Sequence, residues 1–351
     1  MAQNSINENN TTAKVEAHCN VFPPFKTDDQ AFYSRFNFQR IIEGKPSKDT
    51  SLLADKTIAV HLHLFYLDLV PELVSYLSNI PYPFDLFVSV PEQVQYDADQ
   101  LQADFSAIEH VHTVIIKKTP NRGRDIGPML CTFKSDLQRY DFLLHIHSKK
   151  SPHGGILHHW RQFIFNHLLR SEDTVTYILQ LLATDTAIVA PPDYICRHSS
   201  EVWNISGNLE EAQKVLDRSS LHLDLREIAP CAKFPQGTMF WCHTDLLKDL
   251  MAIDWTYEDF PQEPIPADGT IAHALERLFF IWNYKKPTKC SLIYHDQDEV
   301  ALRDCTEQEC WDTERYRRKY RKYRRLTFIT AILAIILLLC TIASTILLLI
   351  G

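Results

Sequence analysis

The sequence predicts an α/β domain built on a mostly parallel sheet flanked by helices, followed by one C-terminal transmembrane helix. Three observations predict it. Short apolar runs alternate with helical patterns over roughly residues 55–295. Leu326 to Ile350 contains no charged residue. Polar, glycine-bearing turns recur at the ends of the predicted strands.

Taken in order, Thr57–Leu64 reads as a strand and Leu67–Leu77 as a helix with Pro71 early in it. Phe84–Val90 is a second strand and Glu92–Ser106 a helix; His112–Lys117 is a third strand. A glycine-bearing turn, a helix around Gly127–Leu137 and the strand Tyr140–His147 complete the first half. Strands separated by helices of this length imply a parallel sheet with crossovers. The second half is less regular. A helix over Ile156–Leu169 follows a Gly-Gly break, and another lies near Val175–Leu182. Ala187–Ala190 is a short strand closed by Pro191 and Pro192, Gly237–Trp241 marks another strand, and Gly269–Asn283 a helix.

The apolar run at 326–350 is long enough to span a hydrocarbon core of about 30 Å at about 1.5 Å per residue. Before it, Glu314–Arg325 holds eight Lys/Arg and one acid, a basic flank that stays on the cytoplasmic side and attracts anionic lipids. That segment contributes +7 to a chain of net −8, leaving −15 elsewhere, and a domain so acidic argues against nucleic acid as a partner. The expected layout is a polar, disordered region over 1–50, an α/β domain over 51–300, a basic juxtamembrane helix over 301–325 and a transmembrane helix over 326–350. Residues 1–20 carry no apolar segment of the kind a cleaved leader needs. Nine scattered cysteines without a C-x-x-C pair fit reduced thiols.

Three polar clusters fall where an open α/β sheet holds ligands, at carboxyl ends of strands. In Asn121-Arg-Gly-Arg-Asp-Ile-Gly127 the glycines let backbone N–H groups approach a phosphate, and Arg122 and Arg124 can fork onto diphosphate oxygens. Asp125 can bond a ribose hydroxyl or fix an arginine; an ordinary loop with an internal Arg–Asp pair stays open as a reading. In His145-Ile-His-Ser-Lys-Lys-Ser151, strand periodicity puts His145 and His147 on one face, where they can meet a sugar, a phosphate or a metal. Lys149 and Lys150 can neutralise a leaving diphosphate, or simply sit on a solvated turn. Asp268, ahead of a helix that carries His273 and Glu276 at i, i+3, suits either a helix cap or a base for an acceptor hydroxyl. A fourth segment, Phe234–Trp241, sets Gly237 and Thr238 before aromatic residues, of which Trp241 can stack on a sugar or simply pack.

As an ordered set over roughly residues 55–285, these segments, with Ile58–Leu64 and the Trp160-Arg161 pair, resemble the rhamnan synthesis protein F family. The resemblance implies a GT-A-like, Rossmann-like glycosyltransferase of bacterial rhamnose-containing polysaccharide and O-antigen synthesis. It places Asn121, Arg122, Gly123, Arg124, Asp125, His145, His147, Lys149 and Lys150 around a nucleotide-sugar donor. Asp268 becomes the catalytic base, and Gly237, Thr238, Trp241 and His273 line the sugar or acceptor. The Asp-x-Asp pair that usually holds Mg²⁺ or Mn²⁺ is absent at the histidine strand, so no metal ligand is assigned. The expected partners are a nucleotide-sugar donor, a lipid-linked glycan acceptor and membrane lipids. The reaction expected is inverting transfer of L-rhamnose from dTDP-L-rhamnose at the cytoplasmic face of a bacterial inner membrane. Transfer of another deoxyhexose or hexose, or a catalytically inactive scaffold of the same fold, stays open.

Overall fold

Apolar runs ending in polar turns fold into eight strands of one sheet. The computed structural model describes residues 36–148, 150, 160–192, 205–227, 233–266 and 268–295, all within one compact unit. The strands are β1 (Phe38–Ile42), β2 (Ile58–His63), β3 (Phe84–Pro91), β4 (Val111–Thr119), β5 (Phe142–His147), β6 (Thr186–Ala190), β7 (Phe240–His243) and β8 (Lys289–Tyr294). The helices are α1 (Val70–Leu77), α2 (Ala98–Ser106), α3 (Lys134–Leu137), α4 (Trp160–Leu169), α5 (Glu172–Leu182), α6 (Leu209–Asp217), α7 (Lys248–Ala252) and α8 (Ile271–Leu278). The sheet order is β1-β8-β6-β7-β5-β2-β3-β4, and every pairing is parallel except the two made by β7.

That order positions the site. From β2 the chain builds outward through β3 to β4, then returns to lay β5 on the opposite flank of β2. Such a reversal opens a crevice at the carboxyl ends of the two strands. β2 and β5 are buried along their whole length, as strands covered on both faces are. One face packs Ile58, Val60, Leu62, Leu144 and Ile146 against Leu73, Leu168 and Ile178 of the helices. The other face takes the alternate residues, and in-register pairing sets His61 beside His145 and His63 beside His147.

Several expected elements shift. The helix expected from Glu92 begins at Ala98, because the Asp97 side chain accepts the N–H groups of Asp99 and Gln100 and so caps it there. The helix expected around Gly127–Leu137 is a wide turn over Pro128–Thr132 followed by the single turn α3. Gln236–Thr238 is a tight turn with Gly237 at φ +75°, so the strand begins only at Phe240. α8 stops at Leu278 and gives way to a short turn over Ile281–Asn283.

Strands β1 and β8 and helices α6 and α7 were not expected. β1 falls inside the region expected to be disordered, and it belongs to the domain because it pairs with β8 residue for residue. Glu43, just past β1, accepts from His295 past β8 and from Arg170 after α4, which ties the three together. Residues 1–35 and the expected helices over 301–325 and 326–350 lie outside the described residues. Among the described residues no helix is long and apolar enough to cross a membrane.

Replacing Asp97 with alanine removes the cap of α2 and is expected to lower stability by about 1 kcal/mol, read as a lower urea midpoint with an unchanged slope.

Candidate functional site

The turn that leaves β4 can close only with glycine at two positions. Gly123 sits at φ +73°, and a Cβ there would lie 2.7 Å from the Phe260 ring. A Cβ on Gly127 would lie 2.4 Å from the Arg122 carbonyl oxygen. Gly127 N–H donates to the Gly123 carbonyl at 2.8 Å and closes the turn on itself. Arg122 clasps the turn to the neighbouring segment, its Nε donating to the Phe260 carbonyl at 2.8 Å and its backbone bridging to Gln262. Arg124, at φ +52°, reaches the other way. Its Nη1 donates to His273 Nε2 at 3.0 Å and its Nε lies 3.5 Å from Glu263 Oε1, with the side chain still 37 % exposed. A guanidinium cannot accept, so His273 carries its proton on Nδ1 and donates it to Thr270 Oγ1 at 2.8 Å.

These contacts belong to a closed circuit. Asp125 Oδ2, in the same turn, accepts from His145 Nε2 at 3.1 Å. Two residues along β5, His147 Nε2 donates to the Gly237 carbonyl at 2.6 Å. Gly237 N–H donates to Glu276 Oε1 of α8 at 2.8 Å, and one turn earlier on α8 His273 meets Arg124. The β4 turn, the end of β5, the 236–238 turn and the start of α8 are thereby locked together at the carboxyl edge of the sheet. Glu276 also pairs with Arg277 at 2.7 Å, and Arg277 Nη2 lies 3.3 Å from Asp268 Oδ1. Asn208 donates to the same Asp268 oxygen at 2.9 Å, while Asp268 Oδ2 has no hydrogen-bond partner among the described residues and the side chain is 52 % exposed.

Beneath this edge runs a chain of buried hydrogen bonds. His145 Nδ1 lies 2.9 Å from His61 Nδ1, His61 Nε2 lies 3.3 Å from Ser89 Oγ, and Ser89 Oγ lies 2.9 Å from His63 Nδ1. Burial pushes His61 well below the usual imidazole range, with the nearby His145 adding to the effect, and burial pushes His63 down to about 4. Burial alone would raise Asp125, but the neighbouring His147 and the bond from His145 outweigh it and hold the carboxyl well below the usual carboxylate range.

The structure rearranges several expected roles. His145 and His147 are both buried; the ring nitrogens of His145 are spent on Asp125 and His61, and His147 Nε2 on the Gly237 carbonyl. Trp241 is no sugar platform, being fully buried with its indole N–H donating to the Leu168 carbonyl. Asp268 does not cap α8; Thr270 does, its side chain accepting the backbone N–H of His273. Gly237, Thr238 and His273 are buried and shape the edge from within. Lys150 pairs with Asp68 and lies over the Tyr66 ring, on the β2 side of the crevice. Lys149 lies outside the described residues. Asn121 is half-buried beside Arg122. The partnership of His61 and His63 with His145 and His147 was missed, although two His-x-His pairs, each closing a predicted strand, signalled it. Among the described residues no group of three or more His, Cys, Asp or Glu side chains is arranged to hold a metal ion.

The profile of the rhamnan synthesis protein F family matches residues 32–286, most of the chain. The chain belongs to that family. WxcX of Xanthomonas campestris pv. campestris, an uncharacterized protein in strains B100 and ATCC 33913, is 25% identical over 234 residues, covering 64% of this chain. The match takes in 31% of WxcX, so the chain spans about a third of the length of these relatives. Among solved structures, the mannosyltransferase Ktr4p from S. cerevisiae in complex with GDP aligns over 80% of this chain and 79% of its own. At 9% identity and a TM-score of 0.30 that likeness is too loose to carry weight.

Two predictions follow from this geometry. Glu276→Ala breaks the circuit and strips Arg277, whose side chain is 3 % exposed, of a partner; a loss of about 3 kcal/mol or more is expected in urea unfolding. The histidine block makes the protein acid-sensitive. His61 and His63 bind fewer protons folded than unfolded, so stability is complete above the unfolded value of 6.5 and declines as pH falls below it. Asp125 contributes stability that is lost only at still lower pH. Between pH 7 and pH 5, His63 alone accounts for a loss of about 2 kcal/mol, measurable from urea midpoints at the two pH values.

Proposed function

We propose that this chain is the glycosyltransferase domain of a rhamnan-type polysaccharide assembly, an inverting enzyme that uses a nucleotide-sugar donor. The observation that carries the reading is the closed circuit. It holds the exposed guanidinium of Arg124, and Asp268 joins the circuit through Arg277 and Glu276, which supports a site at the reversal in strand order where α/β folds take ligands. Family membership supports sugar-polymer synthesis, and a family named for rhamnan makes dTDP-L-rhamnose the first donor to try.

In this mechanism Asp268 Oδ2 takes the proton of an acceptor hydroxyl, and the freed oxygen attacks the anomeric carbon of the donor. The carbon–oxygen bond to the diphosphate breaks on the opposite face, which inverts the centre. Arg124, with Lys149 and Lys150, receives the charge that develops on the departing diphosphate. A glycan on a polyprenyl lipid is the acceptor proposed, and the uncharged run at 326–350 with its basic flank would hold the domain at the cytoplasmic face of the membrane where such an acceptor resides. Tethering raises the local acceptor concentration without a new contact.

A second reading, a donor-binding scaffold without turnover, is favoured by one feature: the β5 end offers only histidines already committed inside the protein.

The reading is tested with full-length protein, a panel of nucleotide sugars and a lipid-linked acceptor, with and without EDTA. Turnover with dTDP-L-rhamnose is expected, and turnover with another donor would redirect the specificity. Arg124→Ala should weaken calorimetric donor binding by about tenfold or more, as loss of a charge-assisted contact does. Asp268→Asn should abolish turnover and leave donor binding within about threefold, since only the transition state uses the base. Normal activity in Asp268→Asn would remove the base assignment, and calorimetric silence toward every donor would remove the reading as a whole.

A further inference from the structure

The chain Asp125–His145–His61–Ser89–His63 has two open ends. Asp125 Oδ1 and His63 Nε2 have no hydrogen-bond partner among the described residues, and neither is among the atoms sealed from solvent. His63 is the last residue of β2, at the strand-order reversal. Every link between these ends is within hydrogen-bonding distance and buried.

Proton counting leaves few arrangements. Asp125 Oδ2 accepts, so His145 donates through Nε2. If His145 is neutral, its Nδ1 holds a lone pair and must receive the Nδ1–H of His61. His61 Nε2 then receives the Ser89 hydroxyl proton, and Ser89 Oγ receives the Nδ1–H of His63. All bonds run one way, toward the carboxylate, and His63 Nε2 is left bare. Adding one proton to His145 reverses the three bonds beyond it. His145 donates to His61, His61 through Nε2 to Ser89, and Ser89 to His63 Nδ1, which leaves Nε2–H at the open end. Both arrangements satisfy every link, and they differ by a single proton.

We propose that these five residues form a proton relay, in which a proton taken up at His63 Nε2 comes to rest on His145 against Asp125. The balance is complete. The incoming proton binds His63 Nε2; His63 gives up its Nδ1 proton to Ser89 Oγ; Ser89 passes its own proton to His61 Nε2; His61 passes its Nδ1 proton to His145 Nδ1. One proton enters, four N–H or O–H bonds form, three break, and the charge ends beside the only carboxylate on the chain. The resting place is the one the surroundings favour, because burial keeps charge off His61 and His63, and an imidazolium paired with a buried carboxylate is far less costly than one alone.

His147, the fourth histidine of the block, is held by the Gly237 carbonyl. The rings of Phe133 and Phe240 cover His61 and His145 at 5.6 Å each, and Lys117 lies beyond Phe133, 4.8 Å from its ring centre. The relay gives the crevice a proton-accepting group other than Asp268. Naming an acceptor hydroxyl as the source of the proton rests on the transferase reading above; the relay itself does not.

The test is nitrogen-15 NMR of the histidine rings in the full chain, which needs no ligand and no activity. At pH 8 the expected tautomers are Nδ1–H at His61 and His63, the less common form for histidine in water, and Nε2–H at His145. On acidification His145 should gain a proton while His61 and His63 change to Nε2–H in the same step. Ser89→Ala cuts the chain and should separate the His63 and His145 transitions by about one pH unit or more, and Ser89→Thr, which restores the hydroxyl, should rejoin them. Nε2–H at His61 or His63 at pH 8, a His61 or His63 that becomes doubly protonated at a higher pH than His145 gains its proton, or a Ser89→Ala variant with the wild-type transitions would each overturn the relay.

Discussion

The arrangement depends on a ring of hydrogen bonds that no single element could make alone. The β4 turn holds β5 through Asp125 and His145, β5 holds the 236–238 turn through His147 and Gly237, that turn holds α8 through Glu276, and α8 returns to the β4 turn through His273 and Arg124. Buried links of this kind are costly to leave half made, since a stranded donor or charge loses its water without replacement. The ring therefore behaves as a unit, and it explains why a glycine with positive φ stands at 237. Both polar groups of its backbone serve as links, and a Cβ there would sit 2.8 Å from the Trp160 indole. His145, His147 and His273, which resemble ligands in isolation, are links of this frame.

The second constraint is the sheet itself. Reversal of strand order beside β2 puts two His-x-His pairs in register on one face, and close-packed rings exclude water from all but the ends of the block. Four imidazoles cannot all be charged in such a place. What can persist is a chain of shared protons anchored on one carboxylate, and Asp125 supplies it from the adjoining turn. Sheet geometry thus decides the protonation chemistry before any ligand arrives.

Much of this was legible in the sequence, for reasons that differ by element. β2, β3 and β5 announce themselves because fully buried strands are continuous apolar runs, and the glycines of the β4 turn are visible because only glycine fits there. β1 and β8 were not legible: Phe38–Ile42 reads Phe-Gln-Arg-Ile-Ile, an edge strand whose reason to form is a partner some 250 residues later. His145 and His147 were recognised as special, but not their bonding to a neighbouring strand and turn, because spacing along one strand is silent about the strand beside it. Trp241 followed the same logic in reverse, since an aromatic next to a glycine turn looks alike whether it faces a sugar or the Leu168 carbonyl. Convergence of the polar turns was predictable from the placing of ligands at strand ends; the bonds that enforce it were not.

The central claim is that segments far apart in the chain present a single crevice to a single ligand. It is tested most directly by titrating isotope-labelled protein with dTDP and following the backbone amides of residues 121–127, 236–238 and 268–273. The account predicts that all three segments shift together and saturate with one common dissociation constant. Shifts confined to one segment, or three segments saturating at unrelated concentrations, would contradict it.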